Sequence, residues 1–303
     1  MAELISFNID KSSESYALLL QHINQTRESY AAVLIQDRPK GPAQGQTKFP
    51  SLPDQYVSIN HTAKGEKDDT RLETIINTYR CAINRVAHLG TAKAAGLFTQ
   101  LTLLDNTGAS TNQQLFLVNV YIRPRATHAN TSQLLSDIKE NCDGQLSRLI
   151  SAGDLNASSA MWDPSNLTNV TKSLRTKIKY YAIKVQRGNL IERFAIKHNL
   201  KCLKQNNKDG KIMPTYINNE RTNQAEPTEA WIDVVLAGDK ALRVWHAIKI
   251  LEPDSIFFEP GDNETTRPTI RRGHNIVRTW SPGELAPHAP RSFAGSSQVP
   301  SAS

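Results

Sequence analysis

The chain has 303 residues, of which 39% are hydrophobic, so it is long enough for one large domain or two ordinary ones with a substantial core. Its 36 Lys and Arg residues exceed its 29 Asp and Glu residues, and the formal charge of +7 favours a polyanionic partner. The chain has no apolar stretch that could span a bilayer and no secretory signal, so we expect an intracellular protein without a membrane partner.

The first part of the chain predicts a β-α-β unit whose two strands end on polar residues. Residues 4–8 form a short apolar pattern that ends on Asn8, and residues 12–30 carry the apolar spacing of a helix. Residues 31–37 repeat the first pattern and end on Asp37. Each of these polar residues alone is most often a turn residue, so neither indicates a function by itself.

The next two segments have less regular patterns. Residues 38–67 are rich in Pro, Gly, Gln and Lys, and they predict a long surface loop that is either functional or simply solvated. Residues 81–83 and 97–104 suit two strands, with Gly90 and Gly96 marking the breaks. This region therefore predicts strands without defining their pairing.

The clearest strand covers residues 115–124, which are mostly apolar and end at a proline that cannot continue a central strand. Tyr121 lies near the end of this strand, either as a core aromatic residue or as a donor to a phosphate, and Arg123 follows it. Residues 131–149 then predict a helix that leads directly into the next strand.

The central motif of the chain is Gly153-Asp154-Leu155-Asn156, which abruptly ends an apolar strand. The turn presents a carboxylate and an amide, and such groups either bind a hard cation or hold a phosphate and its attacking water. Asp and Asn also stabilise turns through hydrogen bonds to their own backbone. The tetrapeptide alone leaves both interpretations open.

A basic stretch and further strands follow the central motif. Residues 172–186 could lie along a nucleic-acid backbone or form a solvated helix face, and a separate helix is expected over residues 187–198. Asp233 lies in the apolar run 231–236, where a buried carboxylate needs a metal, a histidine or a hydroxyl such as that of Thr215. Alternatively, Asp233 faces water on an edge strand. Other strands are expected at residues 213–216, 244–251 and 256–258, and a disordered tail over residues 281–303.

The order of the polar strand ends resembles that of the endonuclease/exonuclease/phosphatase superfamily, which includes deoxyribonuclease I and the apurinic endonucleases. The resemblance is greatest to the endonuclease domain of non-LTR retrotransposons of the jockey and R-element kind, and it extends over residues 3–260. The matching segments are Leu34-Ile35-Gln36-Asp37, residues 120–124, Gly153-Asp154-Leu155-Asn156-Ala157 with Trp162, Arg187-Gly188-Asn189-Leu190, Pro214-Thr215-Tyr216 and Ile232-Asp233.

This resemblance implies both a fold and a reaction. The expected fold is a four-layer α/β/β/α sandwich of two mixed β-sheets flanked by helices, formed by residues 1–260 and followed by a C-terminal extension over residues 261–303. The implied reaction is Mg²⁺-dependent phosphodiester hydrolysis, with Mn²⁺ as a possible substitute and no small-molecule cofactor. DNA would be nicked in one strand, in the nucleus, and a longer parent element would carry a reverse transcriptase region.

The resemblance also implies roles for individual residues. Asp154 would orient or deprotonate the attacking water, and Asp233 would order the site beside Thr215. The metal ligands would be Asn8, Asp37 and Asp254, the last also acting in catalysis. The substrate-binding residues would be Tyr121, Asn156, Thr215 and Arg123, with Tyr121 and Asn156 on the scissile phosphate.

Two residues depart from the family pattern and bear on activity. Asp37 stands where the family carries Glu, so its carboxylate is one methylene shorter. Ser255, which follows Asp254, stands where the family carries a histidine that stabilises or protonates the phosphoryl transition state. Loss of such a general acid or base costs on the order of 10²–10⁴ in rate.

These departures leave two alternatives to a working endonuclease. The first is a catalytically inactive DNA-binding protein with a nuclease fold, which the serine and the basic charge support. The second is a phosphatase or phosphodiesterase with the same fold that acts on small or lipid substrates. The context of the central motif, with Trp162 downstream, disfavours the second alternative.

Overall fold

The computed structural model describes part of the chain in detail. The described residues are 3–26, 30–42, 48–66, 68–159, 161–163, 175–204, 216–218, 228–230, 233–244, 247–251 and 276–280. Thr215, Asp254 and Ser255 therefore lie outside the described residues, as do the strand expected at residues 256–258 and the expected tail over residues 281–303.

Six strands form the first sheet, in the spatial order β13-β14-β1-β2-β4-β3. Strands β1 and β2 pair in parallel and are joined by helix α1, which confirms the predicted β-α-β unit. The other pairs in this sheet are antiparallel. The elements are β1 (Glu3–Asn8), α1 (Ser13–Gln25), β2 (Tyr30–Gln36), β3 (Tyr56–Ala63), β4 (Thr70–Asn77), β13 (Ala247–Leu251) and β14 (Ile276–Trp280).

Six further strands form the second sheet, in the order β5-β6-β7-β8-β12-β9. Strands β7 and β8 pair in parallel, with helix α2 between them in the chain, and the remaining pairs are antiparallel. A small separate hairpin pairs β10 with β11. The elements are β5 (Cys81–Thr91), β6 (Ala94–Leu104), β7 (Ser110–Ile122), α2 (His128–Asn141), β8 (Leu149–Asp154), α3 (Arg175–Lys197), β9 (Lys201–Leu203), β10 (Tyr216–Asn218), β11 (Thr228–Ala230), β12 (Asp233–Ala237) and α4 (Asp239–Leu242).

The two sheets pack face to face with helices outside them, so the predicted four-layer sandwich is confirmed. Alternate strand residues such as Leu34 and Leu117 meet in the core between the sheets. Their neighbours point outward, where Val33 packs under α1 and Val118 packs under α2. Each fully buried side chain of this kind contributes roughly 1.5–3 kcal/mol. No helix within the described ranges is long and apolar enough to cross a membrane.

The loop predicted over residues 38–67 contains strand β3, so that prediction was too broad. Strand β3 lies at the edge of the first sheet, and only its Tyr56 is buried. A strand with mostly exposed side chains lacks the apolar signal on which its prediction depends. Similarly, Gly96 does not end a strand but lies inside β6, where the side chain of Leu134 packs close to its backbone.

Two helix predictions were also wrong in their bounds. The helix expected over residues 131–149 ends at Asn141, because Gly144 with φ +73° turns the chain toward β8. The helix expected to begin at Arg187 is instead the second half of α3. Gly188 permits close packing, because a Cβ there would lie 1.8 Å from the Ser158 carbonyl oxygen.

Strand β14 lies between β13 and β1 in the first sheet. It falls inside the segment 261–303, for which the sequence predicts an extension. Its pairing with β1 begins with Glu3 opposite Trp280, so a segment near the C-terminus completes hydrogen bonds of the first strand. This pairing joins residues that are far apart in the chain, so a local sequence pattern does not predict it.

Candidate active site

Polar residues gather where β1, β2, β7 and β8 end and where β12 begins. In the second sheet, Asp154 stands opposite Tyr121 of β7 on one side and opposite Asp233 of β12 on the other. In the first sheet, Asn8 ends β1 and Asp37 directly follows β2. All five side chains are buried, although all but Tyr121 are short polar or acidic side chains of the kind usually found at the surface. Such a cluster requires specific hydrogen-bond or cation partners.

Asp154 connects the two sheets through its carboxylate. Its Oδ2 accepts a hydrogen bond of 2.9 Å from Nδ2 of Asn8, and its Oδ1 accepts one of 2.8 Å from the backbone N–H of Asn156. The Asn8 side chain is itself oriented, because its Oδ1 accepts from the backbone N–H of Asp10 at 2.9 Å. Hydrogen bonds to a carboxylate favour its ionised form. The Asp154 carboxylate is thus held in a fixed orientation between Asn8 and Asn156.

Asn156 adopts φ +43°, a left-handed conformation in which Asn is one of the better tolerated residues. This turn brings the Asn156 N–H back to the Asp154 carboxylate. The sequence left open whether these two residues form only a turn or a functional site. The structure confirms the turn and places it in the polar cluster, while a role in binding a cation or a phosphate stays a prediction.

Asp37 and Tyr121 form the second contact between the sheets. The Tyr121 hydroxyl donates to Oδ2 of Asp37 at 3.3 Å, while Oδ1 of Asp37 is buried without a hydrogen-bond partner among the described residues. Burial raises the pKa of the Asp37 carboxyl, although the nearby cations Lys11 and Arg123 oppose this effect. The carboxylate therefore lacks the stabilising donors that Asp154 has.

The sequence allowed Tyr121 to be either a core aromatic residue or a donor to a phosphate. With 8% exposure its ring is buried as in a core, yet its hydroxyl reaches the polar cluster. Burial raises the pKa of its phenol, and the negative charges of Asp154 and Asp37 raise it further. The hydroxyl thus stays protonated at neutral pH and remains a hydrogen-bond donor. Its ring packs with Leu97 and Leu72 beneath the site.

Asp233 lies on β12, between β8 and β9, and is 7% exposed. The alternative of an edge strand with this carboxylate in water is therefore wrong. Because Asp233 stands opposite Asp154 in the antiparallel pairing, the two carboxylates belong to one cluster. The proposed partner Thr215 lies outside the described residues.

Arg187 anchors the loops around the site, a role that the sequence did not reveal. It is 2% exposed, and its guanidinium donates to four backbone carbonyl oxygens in two loops. One pair belongs to the segment after β7 and the other to the turn after β8. The acceptors and distances are Pro124 (2.9 Å), Ala126 (3.2 Å), Leu155 (3.4 Å) and Asn156 (2.6 Å).

Lys184 is a second residue whose position only the structure reveals. The sequence placed it in a basic stretch that could lie along a nucleic acid or form a solvated helix face. In the structure its ammonium lies close enough to Asp154 and Asp163 for their charges to act on it. Burial nevertheless lowers the pKa of Lys184. The signal that could have identified it is its position three residues before Arg187 on the same helix face.

The oxygen donors at this site fit a hard divalent cation. The Oδ1 of Asp37, which is buried without a hydrogen-bond partner among the described residues, and the amide oxygen of Asn8 are ligand types that Mg²⁺ prefers. Within the described ranges, no group of three His, Cys, Asp or Glu residues converges as a ready metal site. A complete coordination sphere would thus draw on water, the substrate or residues such as Asp254 outside those ranges.

Comparisons with known proteins agree with this arrangement. Residues 115–255 match the family model described as endonuclease-reverse transcriptase. The endonuclease domain of TRAS1, a telomere-specific non-LTR retrotransposon, is similar with a TM-score of 0.56 and 16% identity over 92% of this chain and 96% of that one. The chain has the fold that these endonucleases share, and residues 115–255 match their family model. The resemblance seen in the sequence is thereby confirmed.

Other solved proteins of this fold superimpose over most of the chain. The 3'-5' exonuclease NExo from Neisseria meningitidis has a TM-score of 0.58 and 12% identity over 92% of this chain and 99% of that one. The human Nocturnin catalytic domain has a TM-score of 0.52 and 13% identity, with 92% and 93% covered. A search of curated protein sequences finds no match. At identities this low, the structural similarity establishes the fold and does not identify the substrate.

Proposed function

We propose that this endonuclease/exonuclease/phosphatase-fold protein is a Mg²⁺-dependent endonuclease that nicks one strand of DNA, as in non-LTR retrotransposons. The observation that carries the proposal is the Asp154 carboxylate, held by Asn8 and Asn156 beside Asp37 and Tyr121. The endonuclease-reverse transcriptase match over residues 115–255 supports the retroelement type. A nuclear location and a reverse transcriptase region in a longer parent element are parts of the same proposal.

In this proposal, Asn8, Asp37 and Asp254 hold Mg²⁺, for which Mn²⁺ can substitute. The bound cation supplies positive charge that stabilises the phosphoryl oxygens in the transition state. Asn8 would serve two functions: its Oδ1, which accepts from the Asp10 N–H, would be the cation ligand, and its Nδ2 donates to Asp154. The Oδ1 of Asp37, for which the described part of the chain supplies no hydrogen bond, supports its assignment as a ligand.

Asp154 orients the attacking water and accepts its proton. The hydrogen bonds from Asn8 and Asn156 keep both carboxylate oxygens in place, so the base does not need to reorganise during the reaction. The protonated Tyr121 hydroxyl and the Asn156 amide donate to the scissile phosphate, and Arg123 adds positive charge. Asp233, next to Asp154 across the strand pair, orders the site with Thr215.

The weakest step of this mechanism is protonation of the leaving oxygen. Ser255 follows Asp254 where the resembling family has a histidine, and a serine hydroxyl does not exchange a proton readily at neutral pH. This residue favours the second candidate function, an inactive nuclease-fold protein that binds DNA. The basic formal charge of +7 is compatible with both functions.

The test is nicking of supercoiled plasmid by purified protein with Mg²⁺, with Mn²⁺ or with EDTA. Asp154→Asn keeps the shape of the side chain and removes the base, so we expect the rate to fall by about 10²–10⁴. Asp54→Asn makes the same change of charge on an exposed side chain and should retain full activity. Nicking that persists in EDTA or in Asp154→Asn would contradict the proposed mechanism.

Ser255→His separates the two candidate functions. If the parent is inert and this variant nicks plasmid, the fold and metal site are competent and only the proton-transfer step is missing. If neither nicks while both bind DNA, the protein is a binding module. Faster release of phosphate from small phosphate esters than cleavage of DNA would instead indicate the small-substrate phosphatase.

A further inference from the structure

A cavity of about 760 Å³ lies beside the active site, on the side of strand β7. Its walls come from three separate segments, namely the loop between β3 and β4, the turn between β5 and β6, and the residues that follow β7. Arg123, two residues after Tyr121, belongs to the wall. The cavity thus adjoins the site where the proposed function places the scissile phosphate.

Three cations from the three segments line this cavity. Lys64, Lys93 and Arg125 are all exposed, and none of them forms an ion pair with any residue that the structure describes. Two acidic residues, Glu66 and Asp68, also line the wall. Asp68 is already engaged, because its carboxylate bridges Lys11 and Arg123, and the bond from Lys11 lowers its pKa. Among the residues that the structure describes, the cavity wall therefore carries more unpaired positive than negative charge.

Arg123 is held in a fixed orientation with one donor group unused. Its Nε donates to the Thr70 hydroxyl at 2.7 Å and its Nη1 to Asp68 at 3.1 Å. Its Nη2 is buried and has no hydrogen-bond partner in the described part of the chain. A guanidinium fixed in this way keeps its positive charge at the cavity wall without further loss of side-chain freedom.

The lining also indicates which part of a nucleic acid would bind. The described wall residues include Pro124, Ala92 and Gly65 but no aromatic side chain on which a base could stack. Unpaired Lys and Arg side chains instead match backbone phosphates, which do not depend on sequence. The cavity is thus suited to a sugar-phosphate backbone.

We propose that this cavity binds the phosphates of the DNA backbone that flanks the cleaved bond on the β7 side, through Lys64, Lys93 and Arg125. The inference rests on the proposed function, because it takes DNA as the ligand. It makes a claim about DNA binding and none about cleavage. It predicts that contact with DNA is asymmetric. Duplexes shortened on one side of the nick should bind more weakly than duplexes shortened equally on the other side.

The test measures binding of a labelled duplex by fluorescence anisotropy in EDTA, at several salt concentrations. The variant Lys64→Gln/Lys93→Gln/Arg125→Gln removes the three cavity cations. The matched control Lys139→Gln/Arg193→Gln/Lys197→Gln removes three exposed cations near the groove between α2 and α3. The single variant Arg125→Gln serves if the triple variant fails to fold.

We expect the cavity variant to reduce the slope of log K against log salt by about 0.9 for each lost phosphate contact. For two or three contacts, binding at 0.1 M salt should weaken roughly 10²-fold, while the control should keep the parent slope. Equal slopes in all three proteins, or an equal loss in the control, would overturn the inference.

The outcome is separable from that of the proposed function, because EDTA prevents metal-dependent cleavage during the binding measurement. A parent that binds DNA with the predicted slope change but never nicks would retain the cavity inference and lose the endonuclease. A parent that nicks plasmid while the cavity variant binds with an unchanged slope would retain the endonuclease and lose the cavity inference.

Discussion

Two carboxyl groups within the same cluster have opposite environments. Asp154 accepts hydrogen bonds on both oxygens, from Asn8 and from the backbone of Asn156. Asp37 accepts one long bond from Tyr121, and its other oxygen has no partner among the described residues. Because burial raises the pKa of Asp37, its ionised form costs folding free energy at neutral pH. Such a cost in folding free energy is expected of a carboxylate whose function is to bind a cation.

Asp37→Asn should therefore raise the melting temperature of the metal-free protein at pH 7. The folded-state pKa lies above the unfolded value of about 3.9, so the two states bind protons equally at lower pH. The gain should be absent below the unfolded value, grow as the pH rises from that value to the folded-state pKa, and stay constant above it. Thermal melting in EDTA across this range provides the measurement.

Added Mg²⁺ supplies the complementary observation for the same variant. It should raise the melting temperature of the parent, because a ligand that binds only the folded state stabilises it. Asp37→Asn should respond much less. If Asp37→Asn lowers the melting temperature in EDTA at pH 7, the carboxylate is stabilised by other groups and the interpretation of Asp37 as a cation ligand loses its support.

At the scale of elements, strand β8 depends on one glycine for its position between two neighbours. Gly153 has φ +145° and stands opposite Val120 of β7 and Val234 of β12. A Cβ on Gly153 would lie 1.9 Å from the Val120 carbonyl oxygen, a contact that only a shift of the strand could relieve. The glycine of the central motif thus allows β8 to pack closely against β7, and this packing positions Asp154 at the site.

Gly153→Ala should lower the free energy of unfolding by about 3 kcal/mol, since it forces strain and moves β8 away from β7. Urea denaturation followed by circular dichroism measures the change. Gly41→Ala is the control, because nothing lies within 4 Å of the added Cβ, and its effect should stay within about 0.5 kcal/mol. Equal stability of both variants would show that β8 tolerates the displacement.

At the scale of the whole molecule, a buried polar contact joins the two sheets. Asn119 of β7 is 0% exposed and lies between the sheets. Its Nδ2 donates to the carbonyl oxygens of Ile35 and Glu73 at 3.0 Å and 2.8 Å, and its Oδ1 accepts from Gln36 at 2.7 Å. Because apolar contacts are not directional, this contact specifies how one sheet sits against the other.

Asn119→Leu gives an apolar side chain of similar size and removes the bonds to the Ile35 and Glu73 carbonyl oxygens, while Gln36 keeps, among the described residues, only its bond to Ser6. We expect a loss of about 2–4 kcal/mol in the free energy of unfolding. Gln113→Leu on the exposed part of the same strand should change it by about 0.5 kcal/mol or less. A loss in Asn119→Leu no larger than that of its control would mean that apolar packing alone sets the sheet orientation.

The success of the sequence predictions depended on how local each signal is. The β-α-β unit and strand β7 were predicted because their apolar residues are continuous or periodic in the chain. The edge strand β3 was missed because most of its side chains face solvent. The continuity of α3 through Gly188 was missed because a glycine in a helix is locally unfavourable and its packing partner, Ser158, is distant in sequence.

For the candidate site, the sequence by itself determined the residue types and their order. Asn8, Asp37, Tyr121 and Asp154 could be named because each lies at a strand end, and their order matches a known family. Tertiary structure alone decided that these strand ends meet, that Arg187 holds two loops together, and that the cavity has unpaired cations beside Arg123. The physical reason is that hydrogen bonds, burial and charge act across space, between residues that a linear pattern does not relate.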